Sequence, residues 1–285
     1  MSVKNVQITV LMEDRKNSAK SQLRNKHGVS FFVRAKNGDD KVNVLMDVGP
    51  SGEALLHNVD AMNINLEDID VFALSHGHYD HTGGLIEALK LMEKRVPIIG
   101  HPMVFEPKVS FMPHLRLTGA PFTVTDVESV GGVPVLVADP VKIAGGITTT
   151  GEVPRSTSFE KVCGFWIAHN GRMIEDMMLD DQSLVIDVED KGLIVVAGCA
   201  HAGIINTLRY AKKITGKNKI HAVMGGFHLW SAENNRIQAT VDELEKLDLK
   251  FVAPCHCTGK KAIKKIAETF GDLYQPLRLG DIIEF

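Results

Sequence analysis

The chain has few of the features that mark a membrane protein, a nucleic-acid-binding protein or a secreted protein. Nowhere do about 18 apolar residues follow one another, so the sequence predicts no membrane-spanning helix. Its 32 lysines and arginines are interspersed with 35 aspartates and glutamates, and this balance leaves no basic surface for nucleic acid or an anionic membrane. The first residues lack the apolar segment of a signal peptide, so we expect a cytoplasmic protein.

Cysteine is also scarce, with four residues in the chain: Cys163, Cys199, Cys255 and Cys257. No two of them form a C-x-x-C pair, which argues against a structural zinc knuckle. In a reducing cytosol they are free thiols, metal ligands or small buried side chains. Disulfide bonds therefore play no part in the expected fold.

Histidine, by contrast, is concentrated in one short segment. Ser75-His76-Gly77-His78-Tyr79-Asp80-His81 follows an apolar run at residues 71–74. Histidines two apart do not share a helix face, but from a loop at the end of a strand they can converge on one ion. Asp80 and His81 then point away from that pair and can hold a second ion. Imidazole and carboxylate groups suit zinc, iron, nickel and manganese, so the spacing predicts two metals rather than a chance cluster.

Apolar patterns divide the chain into two β-rich halves that end in strand–loop–helix units. Predicted strands lie at residues 6–12, 28–35, 42–48, 71–74, 96–100, 122–127, 133–138, 147–150, 183–188, 193–197, 219–224, 251–254 and 277–285. Predicted helices lie at residues 53–62, 82–94, 204–214, 232–247 and 260–270. Several strand-end loops carry histidine. We therefore expect an α/β protein, a four-layer αββα sandwich with its site along one edge of the sheets.

We expect residues 1–285 to form a single domain, because no linker composition separates the halves. Residues 101–160 are irregular and hold seven of the eleven prolines. Long irregular segments often carry substrate-binding residues. We interpret this segment as an insertion or lid over the site.

The segment at residues 75–81, here called the histidine loop, resembles the metal-binding motif of the metallo-β-lactamase superfamily. Together with Asp47-Val48-Gly49 upstream and a strand-end His201 downstream, it extends the resemblance along essentially the whole chain. Further phrases narrow the resemblance to one branch: TGEVPR at 150–155, DDQSL at 180–184, GCAHAGIINT at 198–207, GGFHL at 225–229 and PCHCTG at 254–259. That branch is the 7,8-dihydropterin-6-methyl-4-(β-D-ribofuranosyl)-aminobenzene-5′-phosphate synthases, which act in the synthesis of methanopterin-type cofactors. The resemblance implies two divalent transition-metal ions, with zinc favoured and manganese or iron open.

The resemblance also implies a metal role for particular residues. His76, His78 and His201 would hold the first ion. Asp80, His81 and His256 would hold the second. Asp47 would order the loop rather than bind metal.

One position departs from the superfamily pattern. The superfamily bridges its ions with an aspartate from the strand before the last histidine motif, and Gly226 stands at that position here. His228 is a candidate substitute as a ligand or a substrate contact. Because nitrogen and carboxylate ligands already fill the expected positions, we interpret Cys199, Cys255 and Cys257 as small buried residues. Histidines without a motif are expected on the surface or in the core: His27, His57, His101, His114, His169 and His221.

Candidate substrate-binding residues lie near the end of the irregular segment. Arg155, Ser156 and Thr157 offer a guanidinium and two hydroxyls, the groups that clamp a phosphate; a solvated loop arginine is an equal alternative. Aromatic side chains that are candidates to stack on a flat heterocycle, or else ordinary core, are Phe159, Phe165 and Trp166.

Two neighbouring cations lower the pKa of a bound water and polarise a phosphoryl or carbonyl oxygen. Asp80 is the candidate catalytic residue, because it lies beside the ions and can orient the water or carry its proton. By resemblance the chain is a synthase-like enzyme acting on a small phosphorylated pterin-type substrate. Because such a synthesis is a substitution rather than a hydrolysis, a metal-dependent phosphodiesterase or phosphoesterase using a metal-bound hydroxide is the alternative. A non-catalytic sensor is a third. The oligomeric state stays open.

Overall fold

The structure is a computed structural model that describes residues 2–38, 40–111, 114–162 and 164–285, so the predicted free thiol of Cys163 lies outside the described residues. Its strands are β1 (Asn5–Met12), β2 (Ser30–Asn37), β3 (Asp40–Met46), β4 (Val71–Ala73), β5 (Val96–Gly100), β6 (Lys108–Ser110), β7 (Arg116–Leu117), β8 (Gly132–Leu136), β9 (Lys142–Ala144), β10 (Ile147–Thr149), β11 (Trp166–His169), β12 (Arg172–Glu175), β13 (Ser183–Val188), β14 (Gly192–Ala197), β15 (Ile220–Gly226), β16 (Phe251–Cys255) and β17 (Ile282–Glu284). Its α-helices are α1 (Gly52–Ala61), α2 (Tyr79–Thr82), α3 (Leu85–Lys90), α4 (Val124–Ser129), α5 (Ile204–Thr215), α6 (Asn234–Glu245) and α7 (Lys260–Phe270).

Within the described residues the strands form two large sheets and one small sheet. The first large sheet has the order β17-β1-β2-β3-β4-β5-β8, and the second has the order β16-β15-β14-β13-β10-β9. The small sheet has the order β12-β11-β6-β7. Strands β3, β4 and β5 run parallel to one another, as do β14, β15 and β16. Loops that follow parallel strands leave the sheet at the same edge, which is where α/β proteins bind ligands.

The two large sheets pack face to face over a common apolar core. Ile8, Phe31 and Met46 of the first sheet pack in the same cluster as Ile186 and Val196 of the second. Strand β2 shows why both faces of the first sheet must be covered: its consecutive residues Phe31 and Phe32 are both buried, on opposite faces. A strand that is apolar on both faces needs a layer on each side.

Helices cover the outer face of each large sheet. Leu55 of α1 and Leu85 of α3 pack with Phe72 of β4 on the first sheet. Helices α5, α6 and α7 pack on the second sheet through Leu208, Val241 and Ile266, respectively. The order helix, sheet, sheet, helix confirms the predicted αββα sandwich. No helix in the described part of the chain is long and apolar enough to cross a bilayer.

Two secondary-structure predictions are wrong. The strand predicted at residues 122–127 is instead helix α4, because Thr123 and Asp126 form a capping box in which each side chain accepts the other's backbone N–H. This local capping outweighs the β-branched composition. The helix predicted at residues 82–94 is shorter than expected: α3 spans only Leu85–Lys90, and Gly83 and Gly84 separate it from α2, which ends at Thr82.

Residues 101–160 do not form one separate unit. They supply β6 and β7 to the small sheet, β8 to the edge of the first large sheet, and β9 and β10 to the edge of the second. The small sheet is completed by β11 and β12, which the sequence did not predict. The segment predicted as an insertion or lid is therefore shared among three sheets.

Candidate metal centre

Loops from both large sheets converge at one edge. The loop after β4 carries His76 and His78 and leads into α2. The loops after β14 and β16 carry His201 and His256. The structure brings together every residue that the sequence predicts as a metal ligand: His76, His78, Asp80, His81, His201, His228 and His256.

Three histidines form a first donor group. The ligand nitrogens of His76, His78 and His201 lie within 4.8 Å of one another. Burial, followed by the charges of neighbouring histidines, holds the pKa of His76 and of His201 well below the usual value, and burial lowers the pKa of His78 to about 3. All three are therefore neutral near pH 7, the form that binds metal.

The first group also leaves nitrogens without partners. Nε2 of His78 and both ring nitrogens of His201 are buried and have no hydrogen-bond partner among the described residues. Buried polar atoms are nearly always satisfied. A divalent cation accepts the nitrogen lone pairs that are otherwise unused, so these residues fit a metal.

A second donor group surrounds Asp80. Its Oδ2 lies 3.7 Å from Nε2 of His81 and 3.4 Å from Nε2 of His256. Burial alone would raise the pKa of Asp80, but the charge of His81 and the hydrogen bond from His256 lower it. Asp80 is therefore a carboxylate, which suits both a ligand and a proton acceptor.

Asp47 fixes the ring of His81. The Asp47 carboxylate accepts hydrogen bonds from the backbone N–H and hydroxyl of Ser75, each at 2.7 Å, and lies 2.7 Å from Nδ1 of His81. Both Asp47 and His81 are fully buried. Because Nδ1 is occupied, Nε2 is the nitrogen left for metal. These contacts agree with the expectation that Asp47 orders the loop.

Asp14 and His27 also lie in the site, although neither belongs to a sequence motif. Nδ1 of His27 and Nδ1 of His256 lie 2.9 Å and 2.8 Å from the Asp14 carboxylate. Nε2 of His27 lies 3.4 Å from Oδ2 of Asp80. His27, expected on the surface or in the core, is exposed and lies within this site. The available signal was that Asp14 follows a strand end, as the other site residues do.

A buried cation lies behind the histidine loop. Nζ of Lys108 is 2.7 Å from Oδ2 of Asp176 and 3.0 Å from Oδ1 of Asp180. The other oxygen of Asp180 accepts the N–H of Gly77 at 2.8 Å. Gly77 must be glycine because an added Cβ would lie 2.1 Å from the carbonyl oxygen of Val104. Lys108 thus links the small sheet to the loop that carries the ligands.

A cavity of about 440 Å³ opens onto the donor groups. Its walls include Tyr79, Arg116, Thr118, Phe165 and Trp230, and also Cys199 and Cys257. The Phe165 ring lies 5.1 Å from that of His78 and 5.0 Å from that of His201. Arg116 is a cation beside the predicted metal ligands, and Trp230, at 66% exposed, stands at the rim.

The predicted phosphate clamp does not line this cavity among the described residues. Arg155 donates through Nη2 to the carbonyl oxygens of Met177 and Met178, at 2.9 Å and 2.7 Å. Ser156 and Thr157 both donate to the side-chain oxygen of Asn206. These contacts hold the loop at residues 155–157 against α5. Arg116, rather than the predicted Arg155, is therefore the arginine that lines the cavity.

Of the three aromatic residues predicted as candidates for stacking, one lies at the cavity and two lie elsewhere. Phe165 lies at the cavity. Phe159 packs against the core under α5, α6 and α7. The Trp166 ring lies 5.5 Å from the Phe111 ring on the small sheet. Only the first of these positions suits stacking on a bound heterocycle.

An αββα sandwich that presents histidines and carboxylates from strand-end loops defines an enzyme of the metallo-β-lactamase type. The comparisons with known proteins agree. A model of the β-lactamase superfamily domain matches residues 42–174. The 7,8-dihydropterin-6-methyl-4-(β-D-ribofuranosyl)-aminobenzene-5′-phosphate synthase of Methanocaldococcus jannaschii is 38% identical over 289 residues, covering 99% of this chain and 98% of that protein.

An uncharacterized protein of the same organism is 30% identical over 258 residues, covering 90% of this chain and 94% of the relative. The crystal structure of Tm1679, described as a metal-dependent hydrolase of the β-lactamase superfamily, has a TM-score of 0.82 at 27% identity, covering 98% of this chain and 99% of that one. The chain belongs to the β-lactamase superfamily, and its similarity to the dihydropterin synthase confirms the resemblance seen in the sequence.

Proposed function

We propose that the chain binds two divalent transition-metal ions and acts on a small phosphorylated pterin-type substrate, in a reaction like that named for its Methanocaldococcus relative. The observation that carries this proposal is the cavity in which the donor groups meet one arginine and several aromatic side chains. The identity to the synthase extends over nearly the full length of both chains. We treat residues 1–285 as a single domain because the core between the sheets draws on both halves.

Different residues of the cavity would have different roles in such a reaction. Arg116 would bind the phosphate, since a guanidinium pairs with phosphate oxygens in two hydrogen bonds. Phe165, Tyr79 and Trp230 would hold a flat ring. Bound divalent ions would polarise a phosphoryl oxygen and stabilise the charge on a departing diphosphate. Asp80, held as a carboxylate, would accept the proton that the substitution releases.

A metal-dependent hydrolase is the second candidate, and the similarity to Tm1679 favours it. In that reaction Asp80 would orient a water for attack on a phosphoester and take its proton. The same cavity could serve both reactions. In the synthase an aminobenzene ring attacks the methyl carbon and diphosphate leaves, whereas in the hydrolase water attacks phosphorus and an alcohol leaves.

Two assays on the metal-loaded protein separate these functions. Release of diphosphate only when a pterin methyl diphosphate and an aminobenzene substrate are both present supports the synthase. Release of nitrophenol from bis(p-nitrophenyl) phosphate supports the hydrolase. His78→Ala should abolish either activity, and His57→Ala, on helix α1 with its ring on the Gln22 carbonyl, should not. Tight ligand binding without turnover in either assay would overturn both in favour of a sensor.

Two matched arginine variants test the substrate site. Arg116→Met should raise the KM for a phosphorylated substrate by about tenfold or more, the value of a hydrogen bond to a charged group. Arg155→Met should leave that KM unchanged and lower stability instead. Equal KM values for Arg116→Met and the wild type would contradict the assignment of Arg116.

Elemental analysis should find about two metal equivalents per chain. Zinc is favoured, with manganese or iron as alternatives. A protein that stays at one equivalent would contradict the two-ion site. The cytoplasmic location, and a small molecule rather than nucleic acid or membrane as partner, stay predictions from composition.

A further inference from the structure

Cys199 lies among both donor groups. Its sulfur lies within 4.8 Å of the ligand atoms of His76 and His81. The same limit holds for a group with His201 and His228, and for another with His256 and Cys257. Sγ of Cys199 lies 3.2 Å from Nε2 of His81, and the residue is 3% exposed. One sulfur thus lies within 4.8 Å of nitrogens predicted for the first ion, in His76 and His201, and of nitrogens predicted for the second, in His81 and His256.

The backbone of this loop directs Cys199 towards the metal ligands. Ala200 has a left-handed backbone with φ of 51°, a conformation that costs a residue with a side chain about 1 kcal/mol or more. The chain turns there, and the side chains on either side of it, Cys199 and His201, both line the cavity. Strained backbone of this kind persists where the surrounding structure requires it.

The close packing around Gly226 agrees with a role for Cys199 as a metal ligand. A Cβ added to Gly226 would lie 2.4 Å from the carbonyl oxygen of Gly198, 2.6 Å from Sγ of Cys257 and 3.1 Å from Cα of Cys199. A side chain at residue 226 would therefore clash at its first carbon. The space is taken by the Gly198 carbonyl and by the two cysteine residues.

The surroundings of Cys255 are those of a cysteine with a packing role only. It is fully buried, and it packs with apolar residues in the core between the large sheets. Cys199 differs because its neighbours are imidazole nitrogens and it lines the cavity. A thiol beside this many metal-binding nitrogens has the surroundings of a ligand.

We propose that Cys199 binds the metal pair as a thiolate shared between the two donor groups, which corrects its interpretation as a small buried residue. The proton of the thiol leaves to solvent when metal binds. Cys257 positions Cys199 through the contact of its Sγ with the Cys199 carbonyl oxygen, at 3.6 Å. Because thiolate is a soft ligand, the site should prefer zinc or iron to manganese. This inference rests on the proposed two-metal site.

Cobalt substitution tests the proposal without an activity assay. The wild-type protein loaded with Co²⁺ should show a thiolate-to-cobalt charge-transfer band in the near ultraviolet. Cys199→Ala should remove the band and weaken binding of one equivalent by at least about tenfold. Cys199→Asp should restore two equivalents without the band. Cys255→Ala, in the apolar core, is the matched control that should keep it.

X-ray absorption of the wild-type zinc protein tests the proposal independently of any variant's ability to fold. A sulfur scatterer at about 2.3 Å supports it. Two bound ions with only nitrogen and oxygen neighbours would overturn the sulfur ligand while leaving the proposed function intact. A protein that binds no transition metal would overturn both. Loss of the cobalt band in Cys257→Ala but not in Cys199→Ala would overturn the assignment to Cys199.

Discussion

Single side chains determine which ring nitrogen of an imidazole is left free to bind a metal. Asp47 is the clearest case, because its carboxylate binds Nδ1 of His81 and the hydroxyl and N–H of Ser75 in a fully buried environment. The pair fixes both the tautomer and the ring orientation of His81. Asp47 is therefore a positioning residue that acts through His81 and touches no substrate.

Asp47→Asn should lower the affinity for one metal equivalent by about 10–100-fold, as the loss of a carboxylate behind a ligating histidine does. The amide removes the charge and sets an N–H₂ group against existing donors. Isothermal titration with zinc measures the change. Asp70→Asn is a matched control, since Asp70 accepts the N–H of Asn43 on the exposed side of the first sheet. Unchanged metal affinity in Asp47→Asn would contradict the role.

The sequence predicts those site residues that carry a motif and misses those placed only by tertiary contact. His76, His78, Asp80 and His81 lie within one short segment, so their spacing alone indicates metal. Asp14 and His27 meet His256 across most of the chain's length, and no local pattern encodes that contact. Cys199 is buried, as the sequence predicts, and the sulfur ligand proposed for it likewise depends on a tertiary contact, with His81.

Among the strands, too, some were predicted from local sequence and others were missed. Strands that centre on buried apolar residues, such as β2 and β14, were predicted within about two residues of their observed bounds. The small sheet was missed, because β7 is two residues long and β12 is fully exposed. Its link to the site depends on Lys108 in β6, whose ion pairs with Asp176 and Asp180 form across sequence separations of 68 and 72 residues.

Lys108→Met should destabilise the fold by about 3–5 kcal/mol, because it leaves the buried carboxylates of Asp176 and Asp180 without a counter-charge. Denaturant unfolding of the apo protein measures the loss. Lys264→Met is the matched control: its ion pair with Glu268 is exposed, with atoms 3.8 Å apart, and should contribute less than about 1 kcal/mol. Similar unfolding midpoints for Lys108→Met and Lys264→Met would refute this account.

The candidate metal centre of this molecule draws its residues from both halves of the sandwich. His76 and His78 lie in the loop after β4 of the first sheet and His81 in helix α2 that follows it, while His201 and His256 come from loops of the second sheet. The apolar core holds the sheets together over their faces, but the loops meet at the edge through histidines and acids. Bound cations would satisfy those groups from both sides at once.

Removal of metal should therefore loosen both halves at that edge together. At metal concentrations about a thousandfold above Kd, binding adds about 4 kcal/mol to the free energy of unfolding, and a chelator should remove it. Hydrogen exchange should then rise in the loops after β4, β14 and β16 in parallel, with little change in β2 and β14, which lie within the core. Zinc should restore protection, and magnesium, which prefers oxygen ligands, should not. Faster exchange in the loop after β4 alone would mean that the ions bind one half and do not join the sheets.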